Sequence, residues 1–544
     1  MTTKNGIIAM TIACISLLEM PSIARDVVRA PATLTITGGR IAVPDANNGV
    51  LVFRGIPYAA PPTGARRWQP PADVASWRGV WPAATFGPDC MQAETPDSPA
   101  TRPKSENCLV LNVWTPGLRA PGTRPVFVWI HGGGSRVGSG AEPQFDGSAF
   151  ARAGIVVVTI NYRLGPFGFL STPALSAASG HGASGNYGFM DQIAALRWVQ
   201  GNIARFGGDP HRVTIGGESS GSVSVSTLMA SPSARGLFAQ AIGESGSAFR
   251  VAEFGSMGAT GLAAEEAKGL RLAAALGGDV PDHLRSVPAT AVLDAAERLK
   301  VFYNLPVVDG WILPTAPWRV FAAHRQADVP LLVGWNAQEG SLQLVAPHGS
   351  LDELLSRLYR HHAAELAPFY TQLATPADAY VMAAGDNGIA YPTWLWAQAQ
   401  TSFGHAPVYL YMFDHAPSLR PGAFGPVFDV HLAGAFHSAE IPYVFGTLGA
   451  RADWMITPQD RQVAGIVHAY WANFIRHGDP NGRRLPKWSR YMPGRGAVRL
   501  HLGAKAVAEP DPDLARLTAL RGVHDAIDPP LPTAPATAAL AAPN

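Results

Sequence analysis

A serine between two glycines is the residue in this sequence with the clearest chemical potential. Residues 213–221 read VTIGGESSG, with Ser219 at the centre of the last five. The β-branched start predicts the end of a buried strand, and the small residues 222–229 can form a helix. Side chains at Gly217 and Gly221 would collide with the neighbouring strand and helix. The sequence therefore predicts a sharp turn between the strand and the helix, with Ser219 at its apex. A serine in this position is accessible to both a base and a carbonyl carbon, which indicates nucleophilic attack on an ester.

The serine needs a base to accept its proton and an acid to hold that base. In strand–turn–helix sites of this kind the chain order is serine, acid, histidine. Glu339 is the leading acid, because it follows the apolar run 331–333 and therefore lies at the carboxyl edge of a predicted strand. Asp309 and Asp386 remain alternative acids at this stage.

His437 is the leading candidate for the base. It lies in the loop GAFHSAEIP, residues 434–442, directly before an apolar segment. His405, His415 and His431 compete with it, because a histidine on the surface or in the core is more common than a catalytic one. Spacing alone leaves the base open among these four histidines.

A glycine triplet follows the predicted strand 126–130, in the motif HGGG at residues 131–134. Acyl transfer needs hydrogen-bond donors for its oxyanion, and glycines let backbone N–H groups approach a substrate without side-chain interference. We expect Gly133, Gly134 and the N–H of Ser220 to be these donors. The alternative is a merely flexible turn. Neither a Gly-Lys-Ser/Thr motif nor GxGxxG spacing is present, which argues against a phosphate-binding loop.

The composition argues against several classes of function. The 544 residues carry 42 basic and 40 acidic side chains, a formal net charge of +2, which argues against a dedicated nucleic-acid binder. No HExxH motif or Cys/His cluster is present, so the sequence predicts no metal site. The chemistry above needs no cofactor, and a small-molecule ester is the expected partner.

Compact apolar runs alternate with stretches able to form helices, which is typical of a parallel sheet covered on both faces. A helix is predicted over 190–206, and antiparallel strands over 32–53. Alanine- and leucine-rich segments at 255–325 and 350–399 have helical spacing and are interpreted as insertions that cover the site. The apolar runs are 126–130, 155–160, 213–215, 239–243, 331–334 and 408–413.

The two ends of the chain differ from the rest. A positive charge, the apolar stretch 7–18 and a small-residue cleavage site are typical of a cleaved signal peptide over residues 1–24. The apolar stretch is too short to span a membrane, and a buried N-terminal helix or strand is the alternative. Residues 25–527 then form a single domain, and the Pro/Ala-rich tail 528–544 is expected to be disordered.

The chain has three cysteines, and a cleaved signal peptide would take Cys14 with it. Cys90 and Cys108 remain as an even pair in a chain expected in an oxidising compartment. A bridge between them would contribute roughly 3 kcal/mol by restricting the unfolded chain, and two reduced thiols are the alternative. The sequence has no N-x-Ser/Thr sequon, which favours a secreted or periplasmic bacterial protein.

Many separated motifs resemble those of the type-B carboxylesterases, the cholinesterase-like branch of the α/β-hydrolases. They occur in the family's order through most of the mature chain. The motifs are FRGIPYA at 53–59, SENCL at 105–109, NYR at 161–163, GFL at 168–170, GNYG at 185–188, DQ at 191–192, FGGDP at 206–210, SGS at 245–247, PVVDG at 306–310 and GDPN at 478–481.

The resemblance implies an α/β-hydrolase fold: a large, mostly parallel central sheet with helices on both faces and helical insertions over the active site. It also implies a serine carboxylesterase that acts through an acyl-enzyme without a cofactor. Lactonases, thioesterases and amidases share this machinery, whereas non-catalytic adhesion domains typically lose a triad member. The residues implied are the triad Ser219, Glu339 and His437, the oxyanion donors Gly133, Gly134 and Ser220, and Ser245 as a serine supporting the acid and base.

The same resemblance assigns structural roles to other residues. Asp309 becomes a structural residue, which leaves Glu339 as the acid. The pairs implied are the disulfide Cys90–Cys108 and the ion pairs Arg54–Glu106 and Arg163–Asp191.

The sequence departs from the family pattern near the predicted oxyanion donors. Ser220 stands where alanine is usual, and only its backbone is expected to matter. Ser135 replaces the bulky aromatic that commonly follows the glycine triplet, which opens space beside Arg136. We expect Arg136 to face the cleft and to favour esters with an anionic group, such as polycarboxylic acid esters, by charge-assisted pairing. A solvent-facing or structurally paired arginine is the alternative.

Overall fold

A ten-stranded sheet forms the centre of the described part of the chain. The computed structural model describes residues 1–2, 32–94, 102–118, 122–249, 258–341, 349–425, 430–494 and 497–527. The strands of the sheet are β1 (Leu51–Pro57), β2 (Val110–Thr115), β3 (Arg124–Ile130), β4 (Val156–Ile160), β5 (Gly208–Glu218), β6 (Gln240–Glu244), β7 (Leu331–Asn336), β8 (Val408–Phe413), β9 (Val498–Leu502) and β10 (Ala506–Pro510).

The strands lie in the order β10-β9-β8-β7-β6-β5-β3-β4-β2-β1. Those from β9 to β4 in this order pair in parallel. The pairs β9–β10, β2–β4 and β1–β2 are antiparallel. The sheet is therefore mostly parallel, as expected.

Helices follow most of the parallel strands and fill two long insertions. The α-helices are α1 (Ser148–Arg152), α2 (Gly165–Phe169), α3 (Pro173–Ala178), α4 (Tyr187–Asn202), α5 (Ser220–Ala230), α6 (Leu262–Ala275), α7 (Pro281–Ser286), α8 (Ala289–Leu299), α9 (Pro317–Ala322), α10 (Leu351–Tyr359), α11 (Ala363–Leu366), α12 (Pro376–Gly385), α13 (Tyr391–Phe403), α14 (Ile441–Phe445), α15 (Pro458–His477) and α16 (Leu514–Ile527).

Shorter elements complete the described structure. A π-helical turn, Asp386–Ala390, joins α12 to α13. The short strands are Thr33–Ile36, Gly39–Ala42, Val80–Trp81, Asp89–Cys90, Lys104–Ser105, Thr260–Gly261 and Val307–Val308. The 3₁₀ turns are Gly64–Arg66, Pro143–Phe145, Ile203–Phe206, Pro232–Ala234, Arg360–His362, Ala367–Phe369, Val430–Leu432 and Leu448–Ala450.

The apolar runs are strands buried on both faces, because successive side chains of a strand point to opposite sides. In β3, Val126 and Val128 belong to one core cluster, whereas Phe127 and Trp129 belong to the other. Residues of α4 and α5 pack in the first cluster, and residues of α1, α14 and α15 pack in the second. The two-faced covering predicted from the sequence is confirmed.

The predicted elements agree with the structure in type and order. Every predicted apolar run is a strand of the sheet, and the predicted helix 190–206 is α4 with the 3₁₀ turn that follows it. The insertions contain α6 to α9 and α10 to α13. The expected N-terminal strands pair antiparallel over Thr33–Ile36 and Gly39–Ala42.

The two terminal predictions concern segments that lie almost entirely outside the described residues. Apart from Met1 and Thr2, the predicted signal peptide 1–24 lies outside the described residues, as does the tail 528–544. From Thr33 onward the described residues belong to one compact unit. Among the described residues, no helix combines the length and apolar character needed to cross a membrane.

Two of the three implied structural pairs are present. Cys90 and Cys108 form a disulfide. Arg163 donates to both carboxylate oxygens of Asp191, at 2.7 and 2.8 Å, and both side chains are buried. The two-point geometry compensates for removing both charges from water.

The third implied pair, Arg54–Glu106, is wrong, because Glu106 pairs with Arg67. Two nitrogens of Arg67 donate to the two oxygens of Glu106 at 2.6 Å each, and a third nitrogen donates to the carbonyl of Val287 at 2.6 Å. Arg67 is only 5% exposed, so its charge requires such partners. Arg54 instead lies over the ring of Phe86, 5.1 Å from its centroid.

Candidate active site

Ser219 occupies a sharp turn between β5 and α5. The strand ends one residue before it and the helix begins one residue after it, as predicted. Its backbone has φ 56° and ψ −122°, a conformation that is strained for a residue with a side chain. A Cβ at Gly217 would meet the backbone of Gly221, and one at Gly221 would overlap the last carbonyl oxygen of β3. The predicted steric reason for both glycines is confirmed.

The loops that carry Glu339 and His437 are joined by two hydrogen bonds between Gln338 and Ala435. The N–H of Gln338 donates to the carbonyl of Ala435 at 3.1 Å, and the N–H of Ala435 donates to the Gln338 side-chain oxygen at 2.7 Å. The first loop begins where β7 ends, at Asn336. These bonds bring an acid and a histidine from distant parts of the chain into one site.

Glu339 and His437 share a short hydrogen bond. Nδ1 of His437 lies 2.6 Å from Oε2 of Glu339. The other carboxylate oxygen accepts from the backbone N–H of Asn336 at 2.6 Å, so both oxygens of the acid are held. This arrangement fixes the ring with Nδ1 toward the carboxylate, which leaves Nε2 to act as a base.

Nε2 of His437 faces Glu218, the residue directly before Ser219. It lies 3.2 Å from Oε1 of Glu218, whose side chain is buried. The Ser219 hydroxyl donates no hydrogen bond to a described residue. In this structure the imidazole therefore lies between two carboxylates, with the hydrogen bond on the Glu339 side.

The carboxylates around His437 shift its pKa. Burial alone would lower the pKa of His437, but the charges of Glu218 and Glu339 outweigh burial and raise it to about 10. Burial raises the pKa of Glu218 to about 7, against the opposing effect of His437. The imidazole and the carboxyl group therefore titrate together.

Two further carboxyl groups are buried close to these residues. Glu244 and Glu440 are both fully buried. Trp471 donates to Glu244 at 2.7 Å, and the Asn336 side chain donates to Glu440. Burial raises the pKa of both carboxyl groups, that of Glu440 to about 8. Both groups therefore retain protons to a higher pH than ordinary glutamates do.

Glu218, Glu244 and Glu440 were not predicted from the sequence as parts of the site. Each stands within three positions of a predicted site residue. The available signal was an acidic residue set among apolar or small residues, at or near the end of a predicted strand or in the histidine loop. Such a residue is costly to bury and is often placed there for function.

Ser245 directly follows β6, near Glu244. Its backbone has φ 55°, and its N–H donates to the carbonyl of Gly334 at 2.8 Å. The hydroxyl is buried and has no hydrogen-bond partner among the described residues. Its expected support of the acid and base is therefore not present as a direct hydrogen bond, and the role remains a prediction.

The loop after β3 adopts left-handed conformations at three successive residues. Gly133, Gly134 and Ser135 have φ values of 93°, 63° and 55°. A Cβ at Gly133 would overlap the carbonyl oxygen of Val137, so this position requires glycine. Within the described residues, the N–H groups of Gly133, Gly134 and Ser220 have no protein acceptor. This geometry is compatible with the predicted donor role.

Arg136 has partners within the protein. Its guanidinium lies 3.1 Å from Glu297 of α8 and stacks over the ring of Phe302, 3.8 Å from the centroid. The Asn304 side chain donates to the carbonyl of Gly134 at 3.0 Å. These contacts attach the glycine loop to the first helical insertion. Arg136 thus has a paired position within the described structure, and its preference for anionic esters remains a prediction.

The other candidate acids and bases have different partners. The side chain of His431 lies outside the described residues. Among the described residues, no group of three or more His, Cys, Asp or Glu side chains could hold a metal ion. The partners are Asn186 for Asp309, Arg516 for Asp386, Asp328 for His405 and Asp460 for His415.

Comparison with known proteins identifies the family. The sequence model of the carboxylesterase family matches residues 26–509 of this chain. The chain is 36% identical to a fumonisin B1 esterase of Sphingopyxis macrogoltabida over 83% of each chain, and 34% identical to a para-nitrobenzyl esterase of Bacillus subtilis over 82% of this chain and 89% of that one. A solved carboxylesterase of Geobacillus stearothermophilus matches with a TM-score of 0.77 at 35% identity, over 90% of this chain and 99% of that one. The chain therefore belongs to the carboxylesterase family and is a carboxylic ester hydrolase with the α/β-hydrolase fold.

Proposed function

We propose that this esterase acts by a serine mechanism, with Ser219 as nucleophile, His437 as base and Glu339 as the acid that holds the base. The observation that carries the proposal is the 2.6 Å hydrogen bond from His437 to Glu339, beside a serine at a strained strand–turn–helix apex. The order serine, glutamate, histidine along the chain supports it further.

In the proposed reaction, Nε2 of His437 accepts the proton of Ser219 as the serine oxygen attacks the ester carbonyl. The N–H groups of Gly133, Gly134 and Ser220 would stabilise the resulting oxyanion. His437 then gives the proton to the leaving alcohol, and the acyl group remains on the serine. Water that loses a proton to His437 attacks the acyl carbon, which releases the acid and restores the serine.

Glu218 lies next to the proposed base. Nε2 of His437, the atom that accepts the Ser219 proton in the proposed reaction, is 3.2 Å from Oε1 of Glu218. Catalytic hydrogen bonds are often long in free enzymes and tighten when substrate binds. When ionised, Glu218 also favours the imidazolium that forms during serine attack.

The serine assignment is tested by replacing the nucleophile. In Ser219→Ala, we expect hydrolysis of a p-nitrophenyl ester to fall on the order of 10⁵- to 10⁶-fold, because no other hydroxyl occupies the apex. Ser226→Ala is the matched control, since Ser226 is a buried serine on α5 that bonds to the backbone. It should retain turnover per folded molecule. Near-normal turnover by Ser219→Ala would contradict the assignment.

A finer proposal concerns esters that carry an anionic group. Arg136 is the cation that would recognise such a group, and an anionic ester would have to compete with Glu297 for it. Glu297→Gln removes that competitor, so it should lower KM for an anionic ester but not for a neutral ester of the same length. Arg136→Ala should raise KM for the anionic ester alone. Equal changes in KM for the anionic and the neutral ester would contradict the proposed preference.

We also propose export of the protein, with residues 1–24 as a cleaved signal peptide. The Cys90–Cys108 disulfide supports this, because such bridges persist in oxidising compartments. N-terminal sequencing of protein recovered from the periplasm or medium should begin near residue 25. An uncleaved protein confined to the cytoplasm would contradict the proposal.

A further inference from the structure

The side chain of Ser220 joins the two segments that supply the proposed oxyanion donors. Ser220 opens α5, and its Oγ accepts from the backbone N–H of Ser135 at 2.9 Å. Ser135 directly follows the glycine triplet after β3. Both serines are almost completely buried, at 1% and 2% exposure, so water has little access to this bond.

The Ser135 N–H depends on this hydroxyl. Ser135 has φ 55°, and the turn bonds of its loop are made by the N–H groups of Arg136 and Val137, which both donate to Gly133. Ser220 Oγ is the acceptor that the structure gives to the Ser135 N–H. A buried N–H without an acceptor is unfavourable, so removing the hydroxyl favours a shift of the loop.

Tyr162 holds the residue before the glycine triplet. Its hydroxyl donates to the carbonyl of His131 at 2.8 Å, and its ring stacks on the His131 imidazole with centroids 4.6 Å apart. Burial raises the pKa of Tyr162, and the nearby side chains of Ser220 and Ser135 oppose that rise. Buried hydrogen bonds thus hold both ends of the glycine triplet, at His131 and at Ser135.

We propose that the Ser220 hydroxyl is a positioning group for the oxyanion hole. It fixes the distance between the donors of the glycine loop and the donor at the start of α5, while the backbone N–H of Ser220 is itself one of those donors. This inference rests on the proposed serine mechanism, and it assigns to the Ser220 side chain a role that the sequence did not suggest. Misplaced donors weaken transition-state stabilisation more than substrate binding.

The test compares Ser220→Ala with Ser226→Ala. Both changes remove a buried hydroxyl of α5 that accepts a backbone N–H from another segment, and Ser226 accepts from Ala248 at 2.9 Å. We measure kcat and KM with a p-nitrophenyl ester, the affinity for a trifluoromethyl ketone that mimics the tetrahedral intermediate, and thermal unfolding. A stoichiometric phosphonate counts the reactive sites, so that kcat refers to folded enzyme.

We expect Ser220→Ala to lower kcat and trifluoromethyl ketone affinity by similar factors, about 10- to 100-fold, with KM within about threefold. Ser226→Ala should keep kcat and ketone affinity within about twofold of wild type, even if its thermal stability falls as much as that of Ser220→Ala. Ser220→Cys, which fills the space with a weaker acceptor, should lower both kcat and ketone affinity. Ser220→Thr, which keeps a hydroxyl, should restore them.

Unchanged kcat and ketone affinity in folded Ser220→Ala would overturn the inference, as would equal losses in Ser226→Ala. If Ser220→Ala does not fold, the same measurements of kcat, KM and ketone affinity are made on Ser220→Cys. Ser219→Ala separates this inference from the proposed mechanism. Inactive Ser219→Ala with normal Ser220→Ala would refute only the positioning role, whereas active Ser219→Ala would refute the mechanism itself.

Discussion

The two halves of the candidate active site contain different chemical groups. The oxyanion half, residues 131–135 with Ser220, is held by neutral hydrogen bonds between backbone groups and hydroxyls. The acid–base half consists of Glu218, Glu244, Glu339 and Glu440 around the single imidazole of His437. Among the described ion pairs, no arginine or lysine neutralises these four carboxyl groups. Neutral hydrogen bonds fix the positions of the groups in the oxyanion half, whereas protonation sets the charges in the acid–base half.

This difference predicts which property each half controls. Neutral hydrogen bonds do not titrate near neutral pH, so the oxyanion half should set the rate without setting its pH dependence. Glu218 and His437 titrate in one coupled system, so the acid–base half should set the pH range of activity. Substitutions in the two halves can separate these effects.

The largest effect is expected from Glu339→Gln. The amide cannot stabilise the imidazolium, and it can hold His437 in the wrong tautomer, so kcat should fall about 10⁴-fold. The measurement is kcat for a p-nitrophenyl ester at saturating substrate. Asp309→Asn is the control, because Asp309 accepts bonds from Asn186 and a backbone turn. Loss of turnover in that control but not in Glu339→Gln would reverse the assignment of the acid.

A smaller effect, on pH dependence, is expected from Glu218→Gln. Glu218 and Glu339 raise the pKa of His437 to about 10, and the base must be neutral to accept the serine proton. Activity should therefore rise with pH into the alkaline range. Removing one carboxylate lowers the pKa of His437, so the rise in kcat/KM should move to lower pH, by about one to two units.

The pH profile of kcat/KM measures this shift, and Ser220→Ala provides the comparison from the oxyanion half. That variant should lose rate while its profile stays at the wild-type pH. A profile that moves in Ser220→Ala but not in Glu218→Gln would reject the division between the halves.

The smallest effect, on stability, is expected from Glu440→Gln. Burial raises the pKa of Glu440 from 4.5 to about 8. The folded protein therefore holds a proton that the unfolded chain releases above pH 4.5, and the free energy of unfolding falls as pH rises from about 4.5 to 8. The amide does not titrate, so Tm should decline less in the variant between pH 5 and 8, by a few degrees. Parallel declines in Tm would contradict this prediction.

Much of the fold could be predicted because its signals are local. The alternation of apolar runs and helical stretches follows from burial on both faces of a parallel sheet. The glycines around Ser219 follow from a turn too tight for side chains, and the Cβ overlaps at Gly217 and Gly221 confirm that reason. Motif resemblance supplied Glu339 and His437, which spacing alone left among several candidates, and the structure brings these two within 2.6 Å.

The remaining details depend on contacts between distant segments, which no local pattern encodes. Glu106 could pair with either Arg54 or Arg67, and packing against α7 chooses the buried Arg67. Arg136 is a free cation in the sequence, but the first insertion brings Glu297 and Phe302 to it. Residue type alone could not reveal these partners.

The sequence by itself determined the turn at Ser219, the glycine loop, the order of the proposed triad and the family, because backbone sterics and burial patterns act over a few residues. Only the tertiary structure decided what surrounds them. It placed Glu218 beside His437, buried Glu244 and Glu440 nearby, and placed the Ser220 hydroxyl within hydrogen-bonding distance of the Ser135 N–H. Electrostatic and hydrogen-bond partners act through space, so they become visible only once the chain is folded.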